Sequence, residues 1–308
     1  MIEFYIKTVK DDSLKKIESF RDGCWINVEE PTQEEIEKIS RDFNIDVTWI
    51  NDILDIDSKS RIEKHRDNVF LLIRIPYKDE ENEITTLPMG IIMTGNYIMT
   101  ISFLKNQIIE DIKNAKFKVN TTQRLRFVLK IFERTNRNFD KYLEYLRKRA
   151  EVIEEQVSLS LTNNEIYQLL QIQKTLIYFS SALVANEIVF EKINSGKIFK
   201  MYEEDKDLIE DIVLSNREIY ESIKIMRDVL SNTLDAYASI VSNNLNIVMK
   251  FLTSMSIILS FPILLASLYG MNVQLPLQEN PNAFWFIILL IIIIFWLLYI
   301  FFKRKNWL

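Results

Sequence analysis

Two long uncharged runs near the end of the chain dominate its pattern of hydrophobic and polar positions. They cover residues 251–277 and 283–302, and neither contains Asp, Glu, Lys, Arg or His. Each is about as long as the ~20 apolar residues that cross a bilayer as a helix. A spanning segment must form the hydrogen bonds of its backbone N–H and C=O groups within itself, as a helix does. Because the link between them is short, the pattern predicts two membrane helices joined as a hairpin. The alternative is an apolar hairpin buried in a large soluble protein.

The first 120 residues alternate short apolar runs with short helical patterns. Thr32 followed by Glu35 is a capping-box start for a helix, and residues 47–54 predict a second short helix. Runs rich in β-branched residues predict strands at 3–8, 24–28, 68–75, 84–93 and 97–103, with the third ending at Pro76. Strands interleaved with helices predict an α/β sandwich.

Beyond residue 120 the apolar spacing changes to three- and four-residue steps, which is typical of long helices. Helices are predicted at 123–158 and 165–193. A third begins near Glu203 and meets no Gly or Pro until Pro262, so it runs into the first apolar run. From 203 to 268 this helix would measure on the order of 100 Å, which predicts a stalk that packs against partners. A kinked pair of ordinary helices is the alternative.

The predicted fold class is an α+β membrane protein with an N-terminal cytoplasmic α/β sandwich, a long helical stalk and two C-terminal transmembrane helices. The expected boundaries are 1–120 for the α/β domain, 121–200 for a cytoplasmic helical hairpin, 201–250 for the stalk, 251–268 for the first transmembrane helix, 269–282 for an extracellular loop, 283–302 for the second transmembrane helix and 303–308 for a basic tail.

The distribution of charge around the two apolar runs predicts their orientation. Lys303, Arg304 and Lys305 follow the second run, Lys250 precedes the first, and the link holds one charged residue, Glu279. Positive residues stay on the cytoplasmic side, so both termini are expected in the cytoplasm of a protein in the plasma membrane. The first residues show no apolar signal region, so the segments expected to direct the protein to the membrane lie at the C-terminal end.

Composition excludes several classes of function. The net charge is −5, with 43 acidic and 38 basic residues, which argues against a nucleic-acid partner. Cys24 and His65 are the only cysteine and histidine, so one chain forms neither a disulfide nor a Cys/His zinc cluster. Neither a glycine-rich phosphate loop nor a nucleophile with a histidine partner is present, so the sequence does not indicate an enzyme.

A polar stripe follows the long third helix into the first apolar run. Because side chains seven residues apart share a helix face, one face carries Ser239, Asn246, Thr253, Ser260 and Ser267, with Asp235, Ser242, Met249 and Ser256 at the alternate steps. Such a face should point at protein or water, and several copies around an axis would line a water-filled path. Close packing of membrane helices through Ser and Thr is the alternative. The continuation of the stripe to Asn246 and Asp235 favours a pore.

The second run is aliphatic or aromatic all round between residues 287 and 298, as expected of an outer, lipid-facing helix. One polar-faced helix and one apolar helix cannot enclose a pore alone. The pattern therefore predicts a ring-shaped homo-oligomer in contact with membrane lipid.

The chain strongly resembles the CorA family of magnesium transporters. The Gly270-Met271-Asn272 triplet follows Tyr269 at the outer end of the first membrane helix and lies ahead of a second helix and a basic tail, and the resemblance extends over the whole chain. It implies a homopentameric channel for divalent cations, chiefly Mg²⁺, with Co²⁺ and Ni²⁺ as further ions.

The resemblance also implies roles for individual residues. Tyr269, Gly270, Met271 and Asn272 would form the selectivity filter, where Gly270 carbonyls and Asn272 amides hold a hydrated ion through its waters. Asn246 would form a second polar ring, and Met249 and Leu252 an apolar gate. The expected pore-lining residues are Asp235, Asn246, Met249, Leu252, Thr253, Ser256, Ser260, Ile263 and Ser267; Ser260 and Ile263 differ from the side chains of other members.

The resemblance further implies that cytoplasmic Mg²⁺ closes the channel by binding between neighbouring subunits. The matching position is Asp211, at the end of an acidic run from Glu203, and a facing patch would be Asp79, Glu80, Glu81 and Glu83. A solvated acidic surface is the alternative for each of these runs. Two alternatives remain: a Zn²⁺ or Co²⁺ transporter of the same superfamily, which Met271 and the scarcity of soft ligands disfavour, and a non-conducting, membrane-anchored helical scaffold.

Overall fold

The computed structural model describes residues 1–66, 68–159, 163–277 and 280–308, with the side chains of 157–159 and 163 left out. These residues form two compact units, Met1–Ser231 and Asn232–Leu308. Glu279, the one charged residue of the link, lies outside the described residues, as does part of the predicted break between the first two long helices.

Within the described residues of the first unit, seven strands form one sheet in the order β2-β1-β3-β7-β6-β5-β4. Neighbouring strands are antiparallel except for the central pair β3 and β7, which is parallel. The strand bounds are β1 Ile2–Ile6, β2 Lys15–Ile17, β3 Trp25–Glu29, β4 Arg61–His65, β5 Asn68–Lys78, β6 Ile84–Met93 and β7 Ile98–Ser102.

Helices cover both faces of this sheet, which confirms the predicted α/β domain. The helix bounds are α1 Gln33–Phe43, α2 Val47–Leu54, α3 Gln107–Lys113, α4 Arg124–Leu159, α5 Asn163–Asn194, α6 Glu203–Tyr269 and α7 Ala283–Arg304. Successive side chains of a strand point to opposite faces. Phe70 and Leu72 of β5 accordingly pack in the core with α1 and α2, whereas Leu71 and Ile73 pack in the larger core with α3, α4, α5 and the start of α6.

Local signals predicted several element ends correctly. Thr32 caps α1 with a complete capping box, since its hydroxyl accepts from the Glu35 N–H and the Glu35 carboxylate accepts from the Thr32 N–H. Residues 47–54 and 84–93 form α2 and β6 as predicted. Three elements were not predicted: β2, β4 and α3.

The prediction that the third strand ends at Pro76 is wrong, because β5 continues to Lys78. Pro76 lies opposite Thr86 of β6, and the pairing of β5 with β4 reaches only to Leu72. The missing proline N–H therefore falls on an edge that has no neighbouring strand, which is where a sheet tolerates proline.

The long third helix is a single element, α6, with Pro262 inside it. Helices α6 and α7 each contain a stretch that is long and apolar enough to cross a membrane. The two apolar runs of the sequence are therefore confirmed as helices that qualify as membrane spans by length and composition.

Candidate functional site

In the second unit, one face of α6 is covered by the C-terminal segment of the chain. Ser254 and Ile258 are 0% and 2% exposed, and Phe302 of α7 is 6% exposed. The Ser254 hydroxyl donates to the Phe251 carbonyl at 2.8 Å and lies 3.4 Å from the Trp307 carbonyl. Phe302 in turn stacks on Trp307 with ring centroids 5.6 Å apart. These contacts identify the side of α6 that faces the C-terminal segment.

The predicted pore-lining residues lie on the other side of α6. At about 100° per residue, the half-buried or buried positions 254, 257, 258, 262 and 265 centre on one direction of the helix. The predicted pore-lining positions centre roughly 180° away from this direction. They are exposed in the single chain, as are Asp235 and Asn246, and comprise Met249, Leu252, Thr253, Ser256, Ser260, Ile263 and Ser267. Helix α7 therefore leaves the polar stripe uncovered.

Two serine hydroxyls of this stripe are bonded to their own helix. Ser256 donates to the Leu252 carbonyl at 2.8 Å and Ser260 to the Ser256 carbonyl at 2.7 Å, the common bond of a helical serine to the preceding turn. Both hydroxyl protons are thus used, while each oxygen keeps lone pairs that can accept. Ser256 and Ser260 can therefore offer acceptors to water without leaving an unpaired donor in an apolar layer.

The Gly-Met-Asn triplet forms the end of α6 and the turn that follows it. The Gly270 N–H donates to the carbonyls of Ala266 and Ser267 at 3.0 and 3.2 Å, and Met271 N–H to that of Leu268 at 3.3 Å. Tyr269 reaches along the link, with its hydroxyl 3.4 Å from the Pro276 carbonyl.

Within one chain the triplet is open. Gly270, Met271 and Asn272 are exposed, and a Cβ at Gly270 would lie 3.5 Å from the nearest carbonyl oxygens, an ordinary contact. Among the described residues of the single chain, no contact therefore demands glycine at 270.

The acidic residues predicted to sense Mg²⁺ do not form a metal site in one chain. Asp79 accepts from the Glu83 N–H at 2.7 Å and so orders the turn between β5 and β6, while Glu80 and Asp211 are exposed. In the described part of the chain, three or more His, Cys, Asp or Glu side chains are nowhere grouped to hold a metal ion. A site made from these residues would need ligands from another copy.

One acidic residue of the run that begins α6 behaves differently from its neighbours. Asp205 is 6% exposed because it shares a helix face with the buried Ile209 and Ile212. Burial raises the pKa of its carboxyl group. The Arg126 guanidinium, 3.9 Å from this carboxylate, acts in the opposite direction and lowers the pKa, but burial is the larger effect. The three- and four-residue spacing of 205, 209 and 212 is the sequence signal that sets Asp205 apart from the exposed carboxylates of the same run.

Comparisons with known proteins agree with this architecture. The family model of the CorA-like Mg²⁺ transporter protein matches residues 21–304. The cobalt/magnesium transport protein CorA of Methanocaldococcus jannaschii is 27% identical over 290 residues, covering 92% of this chain and 91% of the relative. The protein of the same name from Thermotoga maritima is 21% identical over 309 residues, covering 97% and 88%. The solved complete structure of the CorA magnesium transporter from Methanocaldococcus jannaschii superposes with a TM-score of 0.86 at 25% identity, covering 100% of this chain and 99% of that one.

Proposed function

The chain belongs to the family of CorA-like Mg²⁺ transporter proteins, which transport ions and are not enzymes, and on that premise we propose that it forms a homopentameric, gated channel for divalent cations. Mg²⁺ is the chief ion, and Co²⁺ and Ni²⁺ are further ions that pass. The observation that carries the proposal is the polar stripe of α6, which stays exposed on the side away from the α7 contact. The names of the two relatives, which specify cobalt and magnesium transport, support the choice of ions.

The exposed stripe requires several copies of the chain. Serine and threonine side chains facing lipid would be unfavourable compared with a face toward protein or water. Since α7 covers the opposite side of α6, a closed ring of α6 helices is the arrangement that turns every stripe inward and every α7 outward. The ring then encloses a path lined by Thr253, Ser256, Ser260 and Ser267.

The filter in this proposal is the exposed Gly270-Met271-Asn272 turn. In a ring, the copies of this turn meet at the outer mouth, where Gly270 allows close approach and its carbonyl joins the Asn272 amide in facing the ion. Mg²⁺ gives up its waters reluctantly, so neutral oxygens that bind the hydrated ion hold it without trapping it.

Farther along α6, the same face carries the remaining elements of the path. Met249 and Leu252 would form an apolar constriction that closes by dewetting, and Asn246 a polar ring beyond it. Lys250 and the basic tail at 303–305 support an orientation with both termini in the cytoplasm, by the positive-inside rule, and with the filter on the outer side of the plasma membrane.

We infer that cytoplasmic Mg²⁺ regulates this channel at the interfaces between subunits. Asp211 is exposed on α6 and Glu80 on the turn after β5, so both can meet a neighbouring copy. Carboxylates brought together at an interface repel unless a cation bridges them. Loss of bound Mg²⁺ would loosen the ring and open the path.

Replacement of the filter amide is the test of this function. Asn272→Ala removes the ring of amides and should reduce Mg²⁺ entry into proteoliposomes holding a Mg²⁺-sensitive dye by at least tenfold, with the oligomer intact by size-exclusion chromatography. Gln274→Ala, an exposed amide two residues farther along the same link, is the matched control and should conduct as the wild type does.

Undiminished entry through Asn272→Ala would refute the filter assignment. If neither protein admits Mg²⁺ although the oligomer is intact, the same assay with Co²⁺, Ni²⁺ and Zn²⁺ distinguishes a channel of other selectivity from a scaffold that conducts nothing.

A further inference from the structure

A cleft of about 720 Å³ opens in the first unit where the turn between β5 and β6 meets α4 and α5. Its floor is buried and largely apolar, with Ile84, Leu146 and Ile172. Thr175 donates to the Ile84 carbonyl at 3.1 Å and so fixes α5 against the start of β6. The volume falls within the range of roughly 300–1,000 Å³ that small-molecule sites occupy.

The walls of this cleft carry charges of both signs. Arg149 projects from α4 and Lys174 from α5, while Glu81 and Glu83 belong to the turn between β5 and β6. Among the described residues, none of these four side chains forms an ion pair, although Arg149 is partly buried. Cations on one wall and carboxylates on another complement a ligand that itself carries both signs.

Exposed aromatic rings complete the cleft. Tyr145, Tyr167 and Tyr178 are 40%, 60% and 42% exposed. Gln171 donates to the Tyr167 hydroxyl at 2.7 Å, which orients that ring, and the Lys174 ammonium lies 5.8 Å from the centre of the Tyr178 ring. Aromatic rings beside cationic groups are the surfaces on which nucleobases stack next to their phosphates.

We propose that this cleft binds the magnesium complex of a nucleoside triphosphate. The phosphates bind the Arg149 guanidinium and the Lys174 ammonium, since charged hydrogen bonds to phosphate suit both groups. The waters of the bound Mg²⁺ donate to Glu81 and Glu83, as Mg²⁺ keeps most of its hydration shell. The base stacks on the tyrosine rings. An amino acid also carries both signs, but it would leave the rings and most of the volume unused.

This inference goes beyond the proposed ion path and does not require it. The described residues that line the cleft belong to the first unit, from the β5–β6 turn, the start of β6, α4 and α5, whereas the proposed filter and pore belong to the second. Binding is measured without ion flux. A protein in which Asn272→Ala has abolished transport should still bind the nucleotide with unchanged affinity.

The experiment is a calorimetric titration of the full-length protein in detergent with Mg·ATP at fixed excess Mg²⁺. The wild type should bind, and Arg149→Ala should raise the Kd about tenfold or more, as expected when a hydrogen bond to a charged group is lost. Lys174→Ala should act in the same direction. Arg147→Ala is the matched control, because Arg147 lies on the same helix, pairs with Glu144 and does not line the cleft.

Each further arm of the titration tests one part of the assignment. ATP in EDTA should bind more weakly than Mg·ATP, since Glu81 and Glu83 then face bare phosphate; equal binding would overturn the role of the metal. Magnesium tripolyphosphate should also bind more weakly, because it lacks a base; equal binding would overturn the role of the tyrosines. No heat with millimolar Mg·ATP, or an equal loss in Arg147→Ala, would overturn the proposal.

Discussion

At the scale of single residues, the α/β unit contains a buried group of charges that no local pattern indicated. Glu3 is 8% exposed and accepts from Lys16 at 2.6 Å, from Lys113 at 3.0 Å and from the Tyr5 hydroxyl at 3.0 Å. Burial disfavours the charged carboxylate, but the hydrogen bonds from Lys16, Lys113 and Tyr5 outweigh burial and lower the pKa of Glu3 to about 2. Lys113 also reaches Glu29 at 2.8 Å, and it thus joins α3 to the ends of two strands.

This lowered pKa predicts how the protein responds to acid. A carboxyl group whose pKa is lowered in the folded state stabilises the fold at pH values above its ordinary pKa, which is near 4.5. That stabilisation disappears as the pH falls toward about 2. The urea midpoint of the wild type should therefore fall between pH 5 and pH 3. In Glu3→Gln the fall should be smaller, as measured by tryptophan fluorescence, which Trp25 beside Tyr5 reports.

The control for this measurement is Glu18→Gln, since Glu18 is an exposed carboxylate. Its pH profile should follow the wild type. A Glu3→Gln profile that also follows the wild type would show that the buried ion pairs do not set the acid response.

At the scale of elements, α6 has two faces that differ in exposure within the second unit. Ser254 is buried against the C-terminal segment, and Ser260 is exposed on the polar stripe. Both are serines in the same apolar run, and helical phase puts them on different sides of α6. The C-terminal segment covers the Ser254 side.

Matched leucine substitutions separate the two faces. Ser260→Leu should place an apolar side chain in the proposed path and reduce Mg²⁺ entry several-fold, while the thermal unfolding temperature in detergent stays at the wild-type value. Ser254→Leu should instead lower that temperature, because overfilling a packed site costs about 1–3 kcal/mol. Full Mg²⁺ entry through Ser260→Leu would contradict the assignment of the stripe to the path.

At the scale of the whole molecule, the proposed regulation depends on contacts that one chain does not make. Asp211 is exposed on α6, and the described residues of a single chain assemble no metal site around it. If Mg²⁺ bridges subunits at this position, bound Mg²⁺ should tighten the ring and protect the first unit from protease.

Reversal of charge at this position tests the bridge. Asp211→Lys should lower the protection from limited proteolysis that millimolar Mg²⁺ gives to the wild type, because a lysine cannot share the cation. Glu210→Lys changes the adjacent exposed carboxylate of the same run and should keep the protection. Equal protection in both variants would exclude Asp211 as a sensing residue.

Local signals in the sequence were sufficient for much of the fold. Uncharged runs of spanning length, the capping box at Thr32 and Glu35, and the apolar periods of α2 and β6 each depend on residues close together in the chain. The same holds for the polar stripe of α6, because helical phase alone places its members on one face. The sequence by itself therefore determined the types of the elements that carry a local pattern, the family resemblance and the candidate path.

Only the tertiary structure decided the features that depend on distant residues. Strands β2 and β4 contain few apolar residues, and their pairing with β1 and β5 defines them. Strand β5 passes through Pro76 because β4 has already ended, and the acidic run of α6 divides at Asp205 because one helix face packs on the core. The side of α6 that α7 covers likewise follows from packing. Burial and strand pairing join residues far apart in the chain, so a local pattern does not contain them.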